Sequence, residues 1–176
     1  MIGQAYGIEA VALRFFNTYG TRQTLSNPYT GVLAIFASRL LNNNPPLIYE
    51  DGNQLRDFVN IRDVAEACAL AMEAPGAAGN VLNIASGRQH RVCSVASMLG
   101  AITGANIEPS ITGKYRVGDV RHCFADISQA RQVLGYQPKV ALEQGLAELA
   151  EWLHRQIADD KAAAANEELA KRGLAI

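Results

Sequence analysis

Short apolar runs alternate with longer amphipathic segments along this chain, and the apolar runs predict strands. Residues 8–16 (IEAVALRFF) form one run, whose length and composition are typical of a buried strand. Residues 80–87 (NVLNIASG) form a second run, which ends in glycine. Residues 47–61 have the pattern of a strand, a turn at Asp51–Gly52 and a second strand.

Four amphipathic segments predict helices, because their apolar residues recur every three or four positions. The apolar faces are Val32–Leu33–Phe36–Leu40–Leu41, Val64–Ala67–Cys68–Ala71–Met72, Val95–Met98–Leu99–Ile102 and Leu142–Leu146–Leu149–Trp152–Leu153–Ile157. Asp63, Ser94 and Asp126 are placed to cap helices, and Gly135 is placed to end one in the left-handed conformation. The tail from Asp159 is helical by propensity but weakly apolar. Strands that alternate with helices indicate an α/β fold class.

The composition excludes some partner classes. The 176 residues carry a formal net charge of −1, with basic residues scattered along the chain. They suit one domain or part of a larger one, with no general attraction to nucleic acid or to an anionic membrane surface. We therefore expect no nucleic-acid or membrane partner. Residues 1–10 lack the basic region and apolar block of a secretory signal, and no apolar stretch is long enough to span a bilayer.

The reactive residue types show no arrangement for catalysis or metal binding. Cys68, Cys93 and Cys123 are odd in number and lack a Cys-x-x-Cys pair, so we expect no disulfide, no metal and a cytoplasmic location. His122 beside Cys123 does not indicate a thiol nucleophile, because neighbours on a strand point to opposite faces. The chain has no Ser/His/Asp arrangement, no Gly-x-Gly-x-x-Gly turn and no tyrosine with lysine four residues later. We predict no catalytic residue in this chain.

A polar group follows the first predicted strand. The segment ALRFFNTYGTRQ, residues 12–23, runs from apolar residues into Asn17 and then Tyr19, Gly20 and Arg22. Ligands of parallel α/β sheets bind beyond the carboxyl ends of the strands, so Asn17 is placed to contact a ligand. The alternative is a strand-ending turn in which Asn17 caps the local backbone.

Arginines provide the other candidate binding groups. Arg56–Asp57 and Arg62–Asp63 repeat the same dipeptide, and a guanidinium suits phosphate because its planar fork makes two hydrogen bonds of fixed geometry. A surface ion pair between Arg56 and Asp57 is the alternative. A third cationic segment contains Lys114, Arg116 and Arg121 around a turn at Gly118–Asp119. We expect it to be solvated surface unless it faces the groups around Asn17 and Arg56.

Five blocks, taken in order, resemble the C-terminal half of the extended short-chain dehydrogenase/reductases that act on nucleotide sugars. They are ALRFFNTYGTRQ, NPYTGVLAIFASRLL, LIYEDGNQLRDFVNIRDVAEA, NVLNIASG and RVGDVRHCFADISQARQVLGYQPKVALEQGLAE, and the resemblance runs from about Ala5 to Trp152. The combination of PYTGV with RDFV is most similar to bacterial UDP-glucose or UDP-N-acetylglucosamine 4-epimerases. The resemblance implies the last strands and helix of a Rossmann-type parallel sheet, joined to a small α/β substrate-binding lobe.

The resemblance also implies a role for particular residues. Asn17, Arg56 and Arg116 would hold the diphosphate of a UDP-sugar, and Asp119 would approach the ribose or the sugar. Thr30 and the segment Leu47–Ile48–Tyr49 would line the uridine and sugar pocket. Phe16 would lie against the nicotinamide side of NAD. A diphosphate carries about two negative charges, which two guanidiniums and one amide can satisfy.

The same resemblance implies a division of the chain and a missing half. The segments are 1–24 (end of the Rossmann domain), 25–57 (substrate lobe), 58–90 (return to the Rossmann sheet), 91–158 (substrate lobe) and 159–176 (helical tail). The NAD-binding half and its Tyr-x-x-x-Lys pair would precede these residues. We therefore expect this chain to be inactive alone and not to bind NAD tightly. The resemblance also implies that full-length relatives are homodimers.

Two further expectations follow from the missing half. Strands 8–16 and 80–85 would leave unpaired edges, and the helix at 64–73 would leave an apolar face, so we expect poor solubility or oligomerisation. The leading hypothesis for the function is a UDP-sugar 4-epimerase, and the enzymatic alternative is a nucleotide-sugar 4,6-dehydratase or a UDP-glucuronate decarboxylase of the same family. A catalytically dead binding remnant is the non-enzymatic alternative.

Overall fold

The computed structural model describes residues 5–25 and 31–174. Its helices are α1 (Val32–Leu41), α2 (Ile61–Glu73), α3 (Val92–Ile102), α4 (Ser128–Leu134), α5 (Leu142–Leu153) and α6 (Ala162–Lys171). Its strands are β1 (Ala12–Phe15), β2 (Asn17–Tyr19), β3 (Leu47–Ile48), β4 (Leu55–Arg56), β5 (Phe58–Asn60), β6 (Val81–Ile84), β7 (His90–Arg91), β8 (Ser110–Ile111) and β9 (His122–Cys123). The fold class is α/β, as the alternation of strands and helices predicts.

The predicted strand at residues 8–16 is shorter in the structure: β1 covers Ala12–Phe15, and a second strand, β2, begins beyond it at Asn17. β1 pairs in parallel with β6, and β2 pairs in parallel with β5. Phe16, between β1 and β2, donates its N–H to the carbonyl oxygen of Ile84 at 3.1 Å, and Asn17 donates its N–H to that of Asp57 at 3.1 Å. The chain therefore changes partner strand at this point, which places Asn17 at the start of β2.

The segment 47–61 forms strands on both sides of its predicted turn, but these strands do not pair with each other. β3 pairs in parallel with β8, whereas β4 lies between antiparallel β7 and parallel β9. Gly52 in the turn has φ +78°, and a Cβ there would come within 2.9 Å of Cys93 Cβ. The turn therefore requires glycine both for its backbone conformation and for the close approach of α3.

The apolar residues form two clusters. The first joins α1, α3 and α5 and includes Leu33, Phe36, Val95, Leu99, Leu146 and Leu149. The second joins β6, α2 and α4 and includes Val59, Ala67, Leu82, Ile84, Ala130 and Tyr136. α4 packs in the second cluster although it lies within the segment 91–158, and the proposed domain boundaries stay predictions.

Two predicted helix caps are wrong, a third lies one residue before the cap position, and the predicted helix end at Gly135 is confirmed. α2 begins at Ile61, before Asp63, because Asn60 ends β5 in an extended conformation and its side chain accepts the N–H of Arg62 at 3.0 Å. Ser94 lies inside α3, which begins directly after β7. Asp126 lies one residue before the α4 cap position, Ile127, and accepts the N–H of Ser128 at 2.8 Å. Hydrogen bonds from the side chain and then the N–H of Ser128 lower the pKa of the Asp126 carboxyl. Gly135 has φ +66° and ends the helix in the left-handed conformation.

The exposed fractions of individual side chains correct the apolar faces predicted for α5 and α2. Ile157 is 98% exposed because α5 ends at Leu153, and Met72 is 83% exposed on α2. The prediction that the helix at 64–73 exposes an apolar face is wrong, because Val64, Ala67 and Ala71 are buried in the second cluster.

Strand β1 has one open edge: β6 is its single strand partner among the described residues, and Phe15 is 49% exposed. Oligomerisation through this edge stays a prediction.

Gly145 allows α5 to pack closely against β2. Tyr19 is buried, which raises the pKa of its phenol to about 12, and it donates to the carbonyl oxygen of Leu142 at 3.5 Å. A Cβ at position 145 would overlap the Tyr19 hydroxyl and lie 2.8 Å from its Cζ. Gly145→Ala should therefore lower the free energy of unfolding by about 1–3 kcal/mol in chemical denaturation.

A second helical glycine provides the matched control. A Cβ at Gly100 in α3 would meet the Ile107 carbonyl oxygen at 3.4 Å, an ordinary contact. Gly100→Ala should be neutral or stabilising by up to about 1 kcal/mol, because alanine favours helices over glycine. Equal destabilisation of both variants would show that the contact with Tyr19 is not the cause.

Candidate functional site

One cavity of about 360 Å³ lies between α1, β3, the loop before β9 and α6. This volume is within the ~300–1,000 Å³ that is usual for small-molecule sites. Its wall contains seven residues that the sequence predicts for the substrate site: Asn17, Leu47, Ile48, Tyr49, Arg56, Arg116 and Asp119. Thr30 lies outside the described residues. Phe16 is not part of the wall and packs, partly buried, against the second apolar cluster.

Asn17 reaches this cavity from a strand. It pairs with Phe58 in the parallel β2–β5 ladder, and the chain turns only after Tyr19. The alternative interpretation, in which Asn17 caps a strand-ending turn, is therefore wrong. β2 instead places the amide beside the segment that carries Arg56, because β5 follows β4 after a single residue.

Arg56 is held by backbone carbonyls. Its Nη1 donates to the carbonyl oxygens of Leu55 at 2.9 Å and Arg121 at 2.8 Å, and its Nη2 donates to that of Val120 at 2.8 Å. Its remaining contact, from Nη2 to Asp119 Oδ1, is long at 3.5 Å. The guanidinium thus fixes the loop at residues 119–121, and the hydrogen directed at Asp119 is the most weakly held.

Arg116 is the available cation of the site. It begins a turn closed by the N–H of Asp119 on the carbonyl oxygen of Arg116 at 3.1 Å, with Gly118 at φ +81°. Its guanidinium carbon lies 5.2 Å from the centre of the Tyr49 ring, a cation–π contact. No carboxylate of the described chain pairs with it. Its fork is therefore oriented by an aromatic ring while its hydrogen-bond donors remain accessible.

Arg121, the third cation of this segment, is neutralised by acidic neighbours. It donates to Glu50 at 2.5 Å and to Asp51 at 2.7 Å. The hydrogen bond from Arg121 lowers the pKa of the Asp51 carboxyl well below its usual range. Arg121 is not part of the cavity wall, so it positions the loop around β3 while Arg56 and Arg116 face the cavity.

The aspartates of the two Arg-Asp dipeptides are structural. Asp57 is 0% exposed and accepts the N–H of Ser86 at 2.8 Å, the Ser86 hydroxyl at 2.6 Å and the N–H of Gly87 at 2.9 Å. A surface ion pair between Arg56 and Asp57 is therefore wrong. Asp63 is also buried and accepts the N–H groups of Lys139 and Val140 at 2.9 and 3.2 Å.

Sequence reasoning missed Gln54. Its side chain is 6% exposed and lines the cavity, and its Nε2 donates to the Tyr49 carbonyl oxygen at 2.6 Å. Its Oε1 is buried and accepts no hydrogen bond from the described residues. An unpaired buried acceptor costs about 1–3 kcal/mol, which a donor on a ligand would offset. Nothing in the sequence distinguishes Gln54 from a solvated residue after a turn.

The contribution of helix α6 to the cavity is the second feature that the sequence missed. The expectation was a weakly apolar helical tail, and the helix is confirmed at Ala162–Lys171. Four of its residues line the cavity: Ala162, Ala165, Asn166 and Leu169. Asn166 Oδ1 accepts the Tyr49 hydroxyl at 2.5 Å. The tail therefore closes one side of the site that the more apolar segments build.

The described residues show no group of three potential metal ligands among His, Cys, Asp and Glu. All three cysteines carry free thiols. Within the same residues, every helix is too short or too polar to cross a bilayer.

Comparison with known proteins identifies the family. The model of the NAD dependent epimerase/dehydratase family matches residues 1–85. The dTDP-L-rhamnose 4-epimerase of Burkholderia thailandensis is 40% identical over 146 residues, which are 82% of this chain and 40% of that protein. The crystal structure of UDP-glucose 4-epimerase from Thermotoga maritima with UDP-glucose is 39% identical, with a TM-score of 0.78 over 87% of this chain and 48% of the other.

The chain belongs to the NAD-dependent epimerase/dehydratase family. The chain spans less than half the length of these two relatives: 40% of the dTDP-L-rhamnose 4-epimerase and 48% of the UDP-glucose 4-epimerase. The family members that it resembles are nucleotide-sugar 4-epimerases and related dehydratases and decarboxylases. The implied resemblance to extended short-chain dehydrogenase/reductases is thereby confirmed.

Members of this epimerase/dehydratase family bind NAD. The UDP-glucuronic acid 4-epimerase of Bacillus cereus, whose structure contains UDP-glucuronic acid and NAD, is 30% identical, with a TM-score of 0.76 over 87% of this chain and 48% of the other. The 176 residues contain no Gly-x-Gly-x-x-Gly pattern, the motif that cradles the diphosphate of a dinucleotide. The role of Phe16 beside the nicotinamide stays a prediction.

Proposed function

We propose that the cavity binds the diphosphate of a UDP-sugar, and that this chain supplies the substrate-binding half of an NAD-dependent UDP-sugar 4-epimerase. The observation that supports this proposal is the convergence of Asn17, Arg56 and Arg116 on a single cavity. These residues come from three distant parts of the sequence, and two of them are the guanidiniums that a pyrophosphate requires.

The two arginines contribute unequally to the proposed clamp. Arg116 can offer both arms of its guanidinium fork, because among the described residues this guanidinium lies over the Tyr49 ring and pairs with no carboxylate. Arg56 offers the Nη2 hydrogen that now makes the 3.5 Å contact with Asp119, and it keeps its carbonyl contacts when a phosphate oxygen replaces that carboxylate. Each charge-assisted bond of this kind contributes about 1.5–3 kcal/mol.

The remainder of the cavity suits a nucleoside. Leu47, Ile48 and the Tyr49 ring provide apolar surface, and Gln54 Oε1 provides an acceptor for a ligand N–H or O–H. A 4,6-dehydratase or a decarboxylase of the same family would use an equivalent cavity, so both reactions remain alternatives. We also propose that hydride transfer uses groups outside these 176 residues, since no tyrosine here is followed by lysine four residues later.

Calorimetric titration tests the binding proposal. We expect saturable binding of UDP and at least tenfold weaker binding of uridine, because uridine lacks the diphosphate that the arginines hold. dTDP, with a thymine methyl, shows which pyrimidine the cavity prefers. Binding of UDP no tighter than that of uridine would contradict the diphosphate clamp. NADH-linked epimerase assays on the purified chain should show no turnover.

A further inference from the structure

One face of α6 forms a wall of the cavity. The residues Ala162, Ala165, Asn166 and Leu169 follow the spacing i, i+3, i+4, i+7, which places them on the same side of a helix. The other side carries the ion pairs Glu167–Lys171 and Glu168–Arg172, whose side chains are 44–68% exposed. The helix is therefore oriented, with small, apolar and amide side chains inward and charges outward.

A buried ion pair fixes the start of α6. Asp160 Oδ2 accepts from Arg39 Nη1 at 3.1 Å and from Asn44 Nδ2 at 2.8 Å, and its Oδ1 accepts the N–H of Ala162 at 3.0 Å. The same carboxylate thus holds the first N–H of α6 and joins the start of this helix to α1 and the loop that follows α1. The side chains of Arg39 and Asp160 are only 10% and 12% exposed. This anchoring is too specific for a solvated tail.

Two further contacts join α6 to the residues of the proposed clamp. The Tyr49 hydroxyl donates to Asn166 Oδ1, and the guanidinium of Arg116 lies over the same tyrosine ring. Beyond the helix, the carbonyl oxygen of Leu174 accepts the N–H of Val117 at 2.9 Å, next to Arg116. Tyr49 is therefore in direct contact with both the available cation and α6.

We propose that α6 forms part of the nucleotide-binding site and that Asn166 is a specificity-determining residue, which donates from Nδ2 to the nucleoside of the bound UDP-sugar. This proposal rests on the proposed function. Tyr49 occupies Asn166 Oδ1, and Nδ2 donates to no acceptor among the residues described, so both its hydrogens are available to a ligand. The carbonyl oxygens of a pyrimidine and the ribose oxygens are matching acceptors.

Tryptophan substitutions one residue apart test the wall. Ala165 lines the cavity and is half-buried, whereas Ala164 is exposed on the outer side of α6. In UDP titrations of the full chain, Ala165→Trp should abolish saturable binding by filling the cavity, and Ala164→Trp should leave the Kd within twofold of that of the parent protein. Circular dichroism of both variants verifies that the helix content is unchanged.

Asn166→Ala tests the hydrogen bond. It should weaken UDP binding by about 3- to 10-fold, the range for one neutral hydrogen bond. It should leave the binding of inorganic pyrophosphate unchanged, because pyrophosphate lacks a nucleoside. Tyr49→Phe, which removes the hydroxyl and keeps the ring, should weaken UDP binding less than Asn166→Ala.

The outcomes separate the two proposals. If UDP binds much more tightly than uridine but Asn166→Ala and Ala165→Trp both bind UDP like the parent, the diphosphate clamp stands and α6 is not part of the site. Tighter binding by Asn166→Ala would also overturn the inference, since it would mean that α6 obstructs the ligand. If the parent protein binds UDP no better than uridine, the proposed function and this inference both fail.

Discussion

Asp57→Ala is expected to lower the free energy of unfolding by about 2–4 kcal/mol, because it removes the acceptor of two backbone N–H groups and each unpaired buried donor costs about 1–3 kcal/mol. The carboxylate is fully buried and accepts three hydrogen bonds, two from backbone N–H groups and one from the Ser86 hydroxyl. Alanine would leave the N–H groups of Ser86 and Gly87 unpaired and open a cavity between β4–β5 and the loop after β6.

Chemical denaturation measures this effect, and two variants make it specific. Asp57→Asn keeps one acceptor oxygen and should lose less stability than Asp57→Ala. Asp51→Ala removes an exposed carboxylate that pairs with Arg121, and it should leave the free energy of unfolding close to that of the parent protein. Similar losses for Asp57→Ala and Asp51→Ala would show that the hydrogen bonds around residue 57 do not stabilise the fold.

The same aspartate shows why local sequence patterns misassign polar residues. Asp57 and Asp63 each follow an arginine, and a local interpretation makes one a surface ion pair and the other a helix cap. Their partners are 29 to 77 residues away, in the loop at Ser86–Gly87 and at Lys139–Val140. Acceptors of distant backbone N–H groups have no signature in the neighbouring sequence.

Periodicity was reliable where apolar side chains determine the structure. α1, α3 and α5 follow the predicted apolar faces, and their residues meet in the first cluster. α6 shows the limit of this reasoning: its inner face is mainly alanine, so it gives a weak apolar signal although it closes the cavity. Its position depends on Asp160 and Arg39, which are 121 residues apart.

The candidate site depended on the family resemblance more than on residue patterns. The residues alone favoured a turn cap for Asn17, a surface ion pair for Arg56 and solvated surface for Arg116. The structure removes the first two alternatives and places all three side chains on one cavity. Their assignment to a diphosphate is the part that binding experiments must test, and the two arginines allow a sharp test.

Arg116→Ala is expected to weaken UDP binding by roughly 10- to 150-fold, equivalent to about 1.5–3 kcal/mol, and to lower the free energy of unfolding by no more than about 1 kcal/mol, the range for an exposed cation–π contact. The guanidinium is exposed and its contact within the described chain is the Tyr49 ring, so its removal takes no hydrogen bond from the fold. Arg155→Ala, an exposed arginine outside the cavity wall, is the matched control and should bind UDP like the parent.

Arg56→Ala should behave differently, because this guanidinium has two roles. Its hydrogen bonds to the carbonyl oxygens of Arg121 and Val120 hold the loop that also carries Asp119, so the variant should lose stability as well as UDP affinity. Arg56→Lys keeps the charge but cannot span both carbonyls, and it should recover binding only in part. Loss of affinity in Arg56→Ala alone, with Arg116→Ala unaffected, would mean that the loop and not a pair of guanidiniums determines binding.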